Sequence, residues 1–292
     1  MIYDLISIGS ITKDIFLLTD RGKIFKTPRD KLAPEWLGFE LGEKICVKDI
    51  VENAGGVATN LSIGTKRLGL KSAPLGPAKA AVSVIVVDQK TGERVIFYEK
   101  ASGEIDLSSL KKAKTKWLSV SSLTGNWSRE AGEILSYIKN NKVKLILAPS
   151  TSMIRDGYGN LKKILAQAEI IFLNKNEATE IAYNEKIRNM DTKSLIRLLH
   201  KLGPKIVCLT DGTKGAYCSD GKKIYHSPIK KVKTADFTGA GDAFASGFLG
   251  FYLKGASTGD SLKAGITNSA NVVRYIGTTK GLMTRKEIKR EI

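Results

Sequence analysis

Short apolar runs alternate along this chain with stretches whose apolar residues recur at helical spacing. Asp4-Leu5-Ile6-Ser7-Ile8-Gly9 is an apolar run closed by a glycine, the pattern of a strand buried in a parallel sheet. Lys144-Leu145-Ile146-Leu147, Ile170-Ile171-Phe172-Leu173 and Ile206-Val207-Cys208-Leu209 repeat it. Between such runs, Ala131 to Lys139 and Leu161 to Ala168 carry the 3.6-residue periodicity of amphipathic helices. Strand, helix, strand in succession predicts right-handed crossovers and a mostly parallel sheet with helices on both faces. Such sheets bind ligands beyond the carboxyl ends of their strands, which places Asn174 and Thr210 near any site.

Residues 14–54 break the rhythm. Phe16, Phe25, Trp36, Leu37, Phe39 and Leu41 mix there with Gly22, Pro28, Pro34, Gly38 and Gly42, the composition of a small β-rich excursion. Farther on, Val82 to Val87 and Glu93 to Tyr98 flank the turn Asp88-Gln89-Lys90-Thr91-Gly92, a hairpin pattern. No linker, low-complexity segment or internal repeat divides the 292 residues, so one domain over 1–292 is expected, with β excursions at about 14–54 and 82–100.

The densest chemistry lies at Asp236-Phe237-Thr238-Gly239-Ala240-Gly241-Asp242, followed at once by Ala243-Phe244-Ala245-Ser246-Gly247-Phe248. Small residues let backbone N–H groups converge, and an apolar helix starting there would aim its dipole at an anion. Asp242 could then take a proton from a hydroxyl while the Gly239, Ala240 and Gly241 amides hold a transferring phosphoryl group. An ordinary glycine turn with Asp242 as an N-cap fits the same letters.

Composition changes the picture little. Hydrophobic and charged fractions of 42% and 26% belong to a globular chain, and no apolar stretch approaches the roughly 20 residues of a membrane span. The N-terminus shows no basic-then-apolar leader, so a cytoplasmic setting is expected. Cys46, Cys208 and Cys218 are too few and scattered for a disulfide framework or thiolate metal site; His200 and His226 are expected to be surface or structural. The net charge of +18 would steer anionic ligands. Its lysines are dispersed, with short clusters at Lys111-Lys112, Lys162-Lys163 and Lys230-Lys231 and no nucleic-acid-reading motif, so a solvated basic surface is expected and nucleic-acid binding is not.

Four blocks in order resemble the ribokinase-like (PfkB) carbohydrate kinase family across residues 4 to about 282. They are Asn53-Ala54-Gly55-Gly56-Val57-Ala58-Thr59-Asn60 with the helix ending Arg67-Leu68-Gly69, Asn174-Lys175-Asn176-Glu177, Thr210-Asp211-Gly212-Thr213-Lys214-Gly215-Ala216, and the Gly239–Asp242 block. The resemblance implies a ribokinase-like three-layer α/β sandwich whose β excursions form a lid over the sugar. It implies ATP and Mg²⁺, with Asn174 and Glu177 acting on the metal and its waters, although Asn-x-x-Glu after a strand is also a helix capping box. It implies Thr210, Gly212 and Gly215 at the nucleotide, with Asn268 and Gly277 bordering the adenine. For the last two, helix packing and a helix-stopping glycine are equally open.

By the same resemblance Asp14, Gly55, Gly56 and Asn60 hold the sugar hydroxyls, and a plain turn is the alternative for Asp14. Asp236 and the Thr238 carbonyl match positions that can bind a monovalent cation such as K⁺. The implied reaction is ATP-dependent phosphorylation of a hydroxymethyl group on a small sugar, with a homodimer formed through the lid. A nucleoside acceptor, stacked by Phe16, Trp36 or Phe39, is the near alternative; a non-catalytic sugar or nucleotide sensor, which would need neither Asp242 nor Asn174-Glu177, or a basic nucleic-acid-binding protein, is the distant one. The chain departs from the family after Ser72-Ala73-Pro74-Leu75-Gly76. Pro77-Ala78-Lys79-Ala80-Ala81 leads straight to the hairpin, as though about 25 residues of a strand–helix unit were missing.

Overall fold

The computed structural model describes residues 2–27, 35–99, 105–123 and 127–292. Residues 28–34 and 100 of the expected β excursions lie outside the described residues. In chain order the strands are β1 (Ile2–Ile8), β2 (Thr12–Thr19), β3 (Lys23–Lys26), β4 (Glu35–Gly38), β5 (Asp49–Gly55), β6 (Ser72–Leu75) and β7 (Ala81–Asp88). They continue as β8 (Arg94–Tyr98), β9 (Lys114–Val120), β10 (Lys144–Leu147), β11 (Ala168–Asn174), β12 (Ile206–Thr210), β13 (Ala216–Ser219) and β14 (Ile224–Ser227).

Eight strands form the main sheet in the order β14-β13-β12-β11-β10-β9-β1-β6. From β12 to β6 every pairing is parallel, and β13 and β14 add an antiparallel edge. The near-continuous apolar runs are explained by burial on both faces. Ile171, Leu173, Val207 and Leu209 enter one apolar cluster, while their neighbours Ile170, Phe172, Ile206 and Cys208 enter another. With helices over each face, the architecture is a three-layer α/β sandwich. One boundary moves: the helix expected to reach Ala168 spans Tyr158–Leu165, and Ala168 opens β11.

A second sheet has the order β5-β2-β7-β8, and β3 and β4 form a separate two-stranded ribbon. The two central strands of the second sheet alternate. Asp14, Phe16 and Leu18 on β2 and Ser83, Ile85 and Val87 on β7 are buried, and the residues between them are more open. Phe16 is enclosed by Leu18, Ile85 and Val87, so it holds the sheet together and cannot stack a ligand. At the departure after Gly76 the chain passes directly from the edge strand β6 to β7 of the second sheet. A side chain at Gly76 would come within 2.7 Å of the Gly9 carbonyl oxygen, so the two crossing points are in close contact.

The helix Ala240–Tyr252 is apolar around most of its circumference because it packs on the main sheet and is flanked by the helices Val57–Arg67 and Thr258–Val272. Phe172 of β11 meets Phe244 and Phe248 edge-on, with centroids 6.2 and 5.5 Å apart. On the other side Gly247 allows it to touch the helix Thr258–Val272. A Cβ there would stand 2.8 Å from the Ala264 carbonyl oxygen and 2.9 Å from the Gly265 Cα. This close contact fixes how the helix is seated against its neighbour.

Two glycine substitutions separate helix propensity from packing. Gly132, in the helix Ser128–Asn141, has nothing within 4 Å of a new Cβ, so Gly132→Ala should stabilise by up to about 1 kcal/mol. Gly247→Ala has the same propensity gain but meets backbone that cannot yield, and overpacking costs about 1–3 kcal/mol. Thermal melts should show a higher Tm for Gly132→Ala and a lower one for Gly247→Ala; equal shifts would show that the helix contact is slack.

Candidate active site

Asp242 occupies the first turn of the helix Ala240–Tyr252, whose start is set by Gly239 at φ 77°. That left-handed conformation favours glycine, and a Cβ would also press on the Thr278 side chain at 2.8 Å. Asn60, on the helix Val57–Arg67, donates from Nδ2 to Asp242 Oδ2 at 2.7 Å. The same amide accepts from Thr278 Oγ1 at 2.9 Å, so its orientation is fixed from behind. Burial pushes the Asp242 carboxyl from its ordinary 3.8 to about 6, the Asn60 hydrogen bond pulls it down, and the charge of Asp14 raises it further. A carboxyl of that strength is ionised at neutral pH and still basic enough to receive a proton.

The loop before the helix is locked from inside. Asp236 is completely buried, and its Oδ1 accepts from the Thr238 amide at 2.8 Å and the Thr238 hydroxyl at 2.6 Å. Oδ2 accepts from the Gly277 amide at 3.1 Å. The carboxylate expected to meet a monovalent cation therefore has both oxygens engaged in holding the Gly239 loop. The Ala240 amide turns back to the Phe237 carbonyl at 3.3 Å, which weakens its expected part in an anion hole. Gly241 is exposed, with open space beyond its Cα, and its amide and that of Asp242 lie in the first turn, where a helix has no internal acceptors.

These groups face a cleft of about 340 Å³ whose walls include Asn174, Glu177, Thr210, Gly241 and Asp242. Asn174 ends β11 and caps the helix Lys175–Asn184: its Oδ1 accepts from the Glu177 amide at 2.9 Å, and Glu177 Oε2 accepts from the Asn174 amide at 2.8 Å. The capping box is thus formed, and it also presents both side chains to the cleft. Burial raises the Glu177 carboxyl to about 7, with Glu180 and Asp242 adding to the rise against the Asn174 hydrogen bonds. Among the described residues no group of three His, Cys, Asp or Glu side chains could cage a metal ion. The donor set suits a hydrated Mg²⁺ shared with phosphate oxygens rather than a cation enclosed by protein.

The remaining candidates divide. Thr210 lines the cleft, and Gly212, at φ 51°, leaves open space around its Cα. At Gly215, at φ 89°, a side chain would strike the Ser227 carbonyl on β14, so the close strand approach requires glycine there. Asn268 is fully buried: Nδ2 donates to the Ala243 carbonyl at 2.8 Å and Ser246 Oγ at 3.2 Å, and Oδ1 accepts from the Met283 amide at 2.9 Å. It joins three backbone segments and borders no open wall. Gly277 is buried against Asn53 and Asp236, beneath the second sheet. Ser122, Ser150 and Thr151 also line the cleft and were missed in the sequence; their signal was their place just after β9 and β10. Larger hollows beside Arg67 and Arg290 and beside Arg129 and Asn141 contain none of these residues.

On the far side of Asp242 lies Asp14, buried in β2 and accepting from Thr12 Oγ1 at 2.6 Å. Burial raises its carboxyl, and hydrogen bonds from Thr12 and Ser83 oppose that rise. A side chain at Gly55 would collide with this carboxylate, and one at Gly56 with the Ser10 carbonyl, so both glycines are required by close approach. The strand registers put Asn53, Asp14, Ser83 and Tyr98 in one row across the second sheet. Side chains in such a row share a face.

Residues 76–285 match the profile described as pfkB family carbohydrate kinase. The chain is 33% identical over 217 residues to the ATP-dependent 6-phosphofructokinase of Thermoanaerobacterium thermosaccharolyticum, covering 70% of this chain and 66% of that one. It is 36% identical over 119 residues to the cytidine kinase of Thermococcus kodakarensis, covering 40% of this chain and 41% of that one. The matches thus span two thirds or less of these curated relatives. In fold it is similar to the ribokinase of Arabidopsis thaliana solved with ribose and ATP, with a TM-score of 0.72, 18% identity, and coverage of 99% of this chain and 98% of that one. This structural likeness is ribokinase-type.

The raised Asp242 carboxyl has a consequence for stability. Its folded value, about 6, exceeds the ordinary 3.8, so keeping it ionised in the fold is unfavourable above pH 6, and the cost vanishes once it is protonated in both states below pH 4. Asp242→Asn should therefore raise stability at pH 8, on the order of 3 kcal/mol, and match the parent near pH 3. Melting curves across that range test this; an advantage independent of pH would assign the gain to packing instead.

Proposed function

The chain belongs to the pfkB family of carbohydrate kinases, and from that premise we propose that it transfers the γ-phosphoryl group of ATP to a hydroxymethyl oxygen of a small sugar. The observation that carries this reading is the Asp242 carboxylate at a helix N-terminus, oriented by Asn60 and facing the cleft with free first-turn amides. The acceptor O–H gives its proton to Asp242 as its oxygen bonds to the γ-phosphorus. The bond from that phosphorus to the bridging oxygen breaks, and ADP leaves. The Gly241 and Asp242 amides, with the helix dipole, stabilise charge on the moving phosphoryl group. Thr210 and Gly212 bound the nucleotide side. Asn174 and Glu177 would hold Mg²⁺ through its waters, and the ion would supply neutralisation of phosphate charge there.

Asp14, with Asn53 and Ser83 beside it, faces the acceptor and suits a pair of vicinal hydroxyls. A nucleoside is the second reading, favoured by Tyr98 in the same row, whose ring can cover a base. Assay of ADP release with ribose, fructose, fructose 6-phosphate and nucleosides chooses between them; silence with every acceptor would overturn the kinase reading. With the active acceptor, kcat/KM should decline on the acid side around pH 6. Asp242→Ala should lose about 10²–10⁴ in kcat with ATP affinity retained. Asp14→Ala should raise KM for the acceptor far more than for ATP, and parallel effects would return Asp14 to a structural role.

We further propose a homodimer through the second sheet. Ile15, Leu17, Val82, Val84 and Val86 point away from its buried face, and the register adds Ile50 and Phe97 beside them. Ile50 and Phe97 are 59% and 60% exposed, and an apolar face of this extent is ordinarily covered. Light scattering at micromolar concentration should give twice the 31.8 kDa chain mass, and Phe97→Glu should give the single-chain mass. A parent protein that scatters as one chain would refute the dimer.

A further inference from the structure

Two of the three cysteines lie where the sequence spacing does not suggest them. Cys208 on β12 and Cys218 on β13 are directly opposite in an antiparallel pair, both completely buried, with their sulfurs 2.9 Å apart. Directly opposite residues of such a pair alternate between hydrogen-bonded and non-hydrogen-bonded sites. The Asp211 amide donates to the Gly215 carbonyl at 2.8 Å, which makes 211 and 215 a hydrogen-bonded pair. Counting back by twos makes 209 and 217 the next one, so 208 and 218 fall on a non-hydrogen-bonded site. There the Cα atoms are about 4.5 Å apart and the side chains closest, within the span a disulfide bridges.

The chain between them carries the nucleotide-side residues Thr210 and Gly212. We propose that Cys208 and Cys218 are an oxidisable pair whose disulfide clamps the base of this loop. Oxidation proceeds by exchange with a low-molecular-weight disulfide. One cysteine thiolate attacks it and releases one small thiol; the second attacks the resulting mixed disulfide and releases the other. Two S–H bonds are lost, one S–S bond forms, and the oxidant is reduced to two thiols. Burial and the neighbouring sulfur hold the Cys208 thiol well above the usual range, so exchange waits on opening of the hairpin. The two sulfurs lie in the apolar cluster with Phe248, Leu262 and Ile266, so the hairpin must part from these helices before a small disulfide reaches them.

The test uses Cys46→Ser, which removes the exposed third thiol, unfolded under reduction and refolded with oxidised glutathione so that both sulfurs are accessible during the reaction. The expected product has lost the mass of two hydrogens, yields a Cys208–Cys218 linked peptide, and melts above the same protein after reduction, because the link restricts the unfolded chain. Hydrogen exchange of the Leu209–Tyr217 amides should slow in the oxidised form alone. In Cys46→Ser/Cys208→Ser the melting temperature should not depend on oxidant. Folded protein with both thiols free or capped by glutathione would overturn the proposal, as would a link that leaves the melting temperature and loop exchange unchanged.

Discussion

One buried carboxylate, Asp236, governs the site without facing it. Three hydrogen bonds to Thr238 and Gly277 hold the turn from which the helix Ala240–Tyr252 starts. With that turn fixed, Gly239 takes its left-handed conformation and Asp242 emerges beside the first-turn amides. Removing one oxygen would leave buried backbone donors unsatisfied, at about 1–3 kcal/mol each. The second sheet depends on the same anchor, since Gly277 is packed against Asn53 of β5.

The cleft is electrostatically unsatisfied. Burial raises both Asp242 and Glu177; the Asp242 charge adds to the rise of Glu177, and the Asp14 charge to that of Asp242. Such a group of acids is relieved by a cation arriving with an anionic ligand, and the chain's excess of positive charge favours the anion's approach. Burial holds these carboxyls above their ordinary values despite the hydrogen bonds they accept, which costs fold stability.

The second sheet has two faces with different work. One carries Asp14 and Ser83 toward the site and packs through Phe16 and Ile85; the other leaves aliphatic side chains open. Because strand residues alternate, any slip of register by one position would exchange these faces and remove Asp14 from the site. Gly55, pressed against the Asp14 carboxylate, pins that register from the neighbouring strand.

The buried strands, the alternating sheet over the site and the short motifs were legible in the sequence because each rests on local periodicity or on glycine's conformational freedom. Gly239 and Gly56 are of this kind, and Asn174 with Glu177 was readable as a capping box from its spacing alone. What the tertiary structure decided was which polar groups remain available. Asn60 and Asp242 are 182 residues apart, and only the packing of two helices makes them partners. At Asn268, Gly215 and Gly277 the hydrogen bonds, or the space a side chain would need, are set by residues elsewhere in the chain. Cys208 and Cys218 looked merely scattered until a strand register set them opposite each other. Periodicity is a property of neighbours along the chain, whereas the satisfaction of a buried polar group is settled by whatever the fold brings against it.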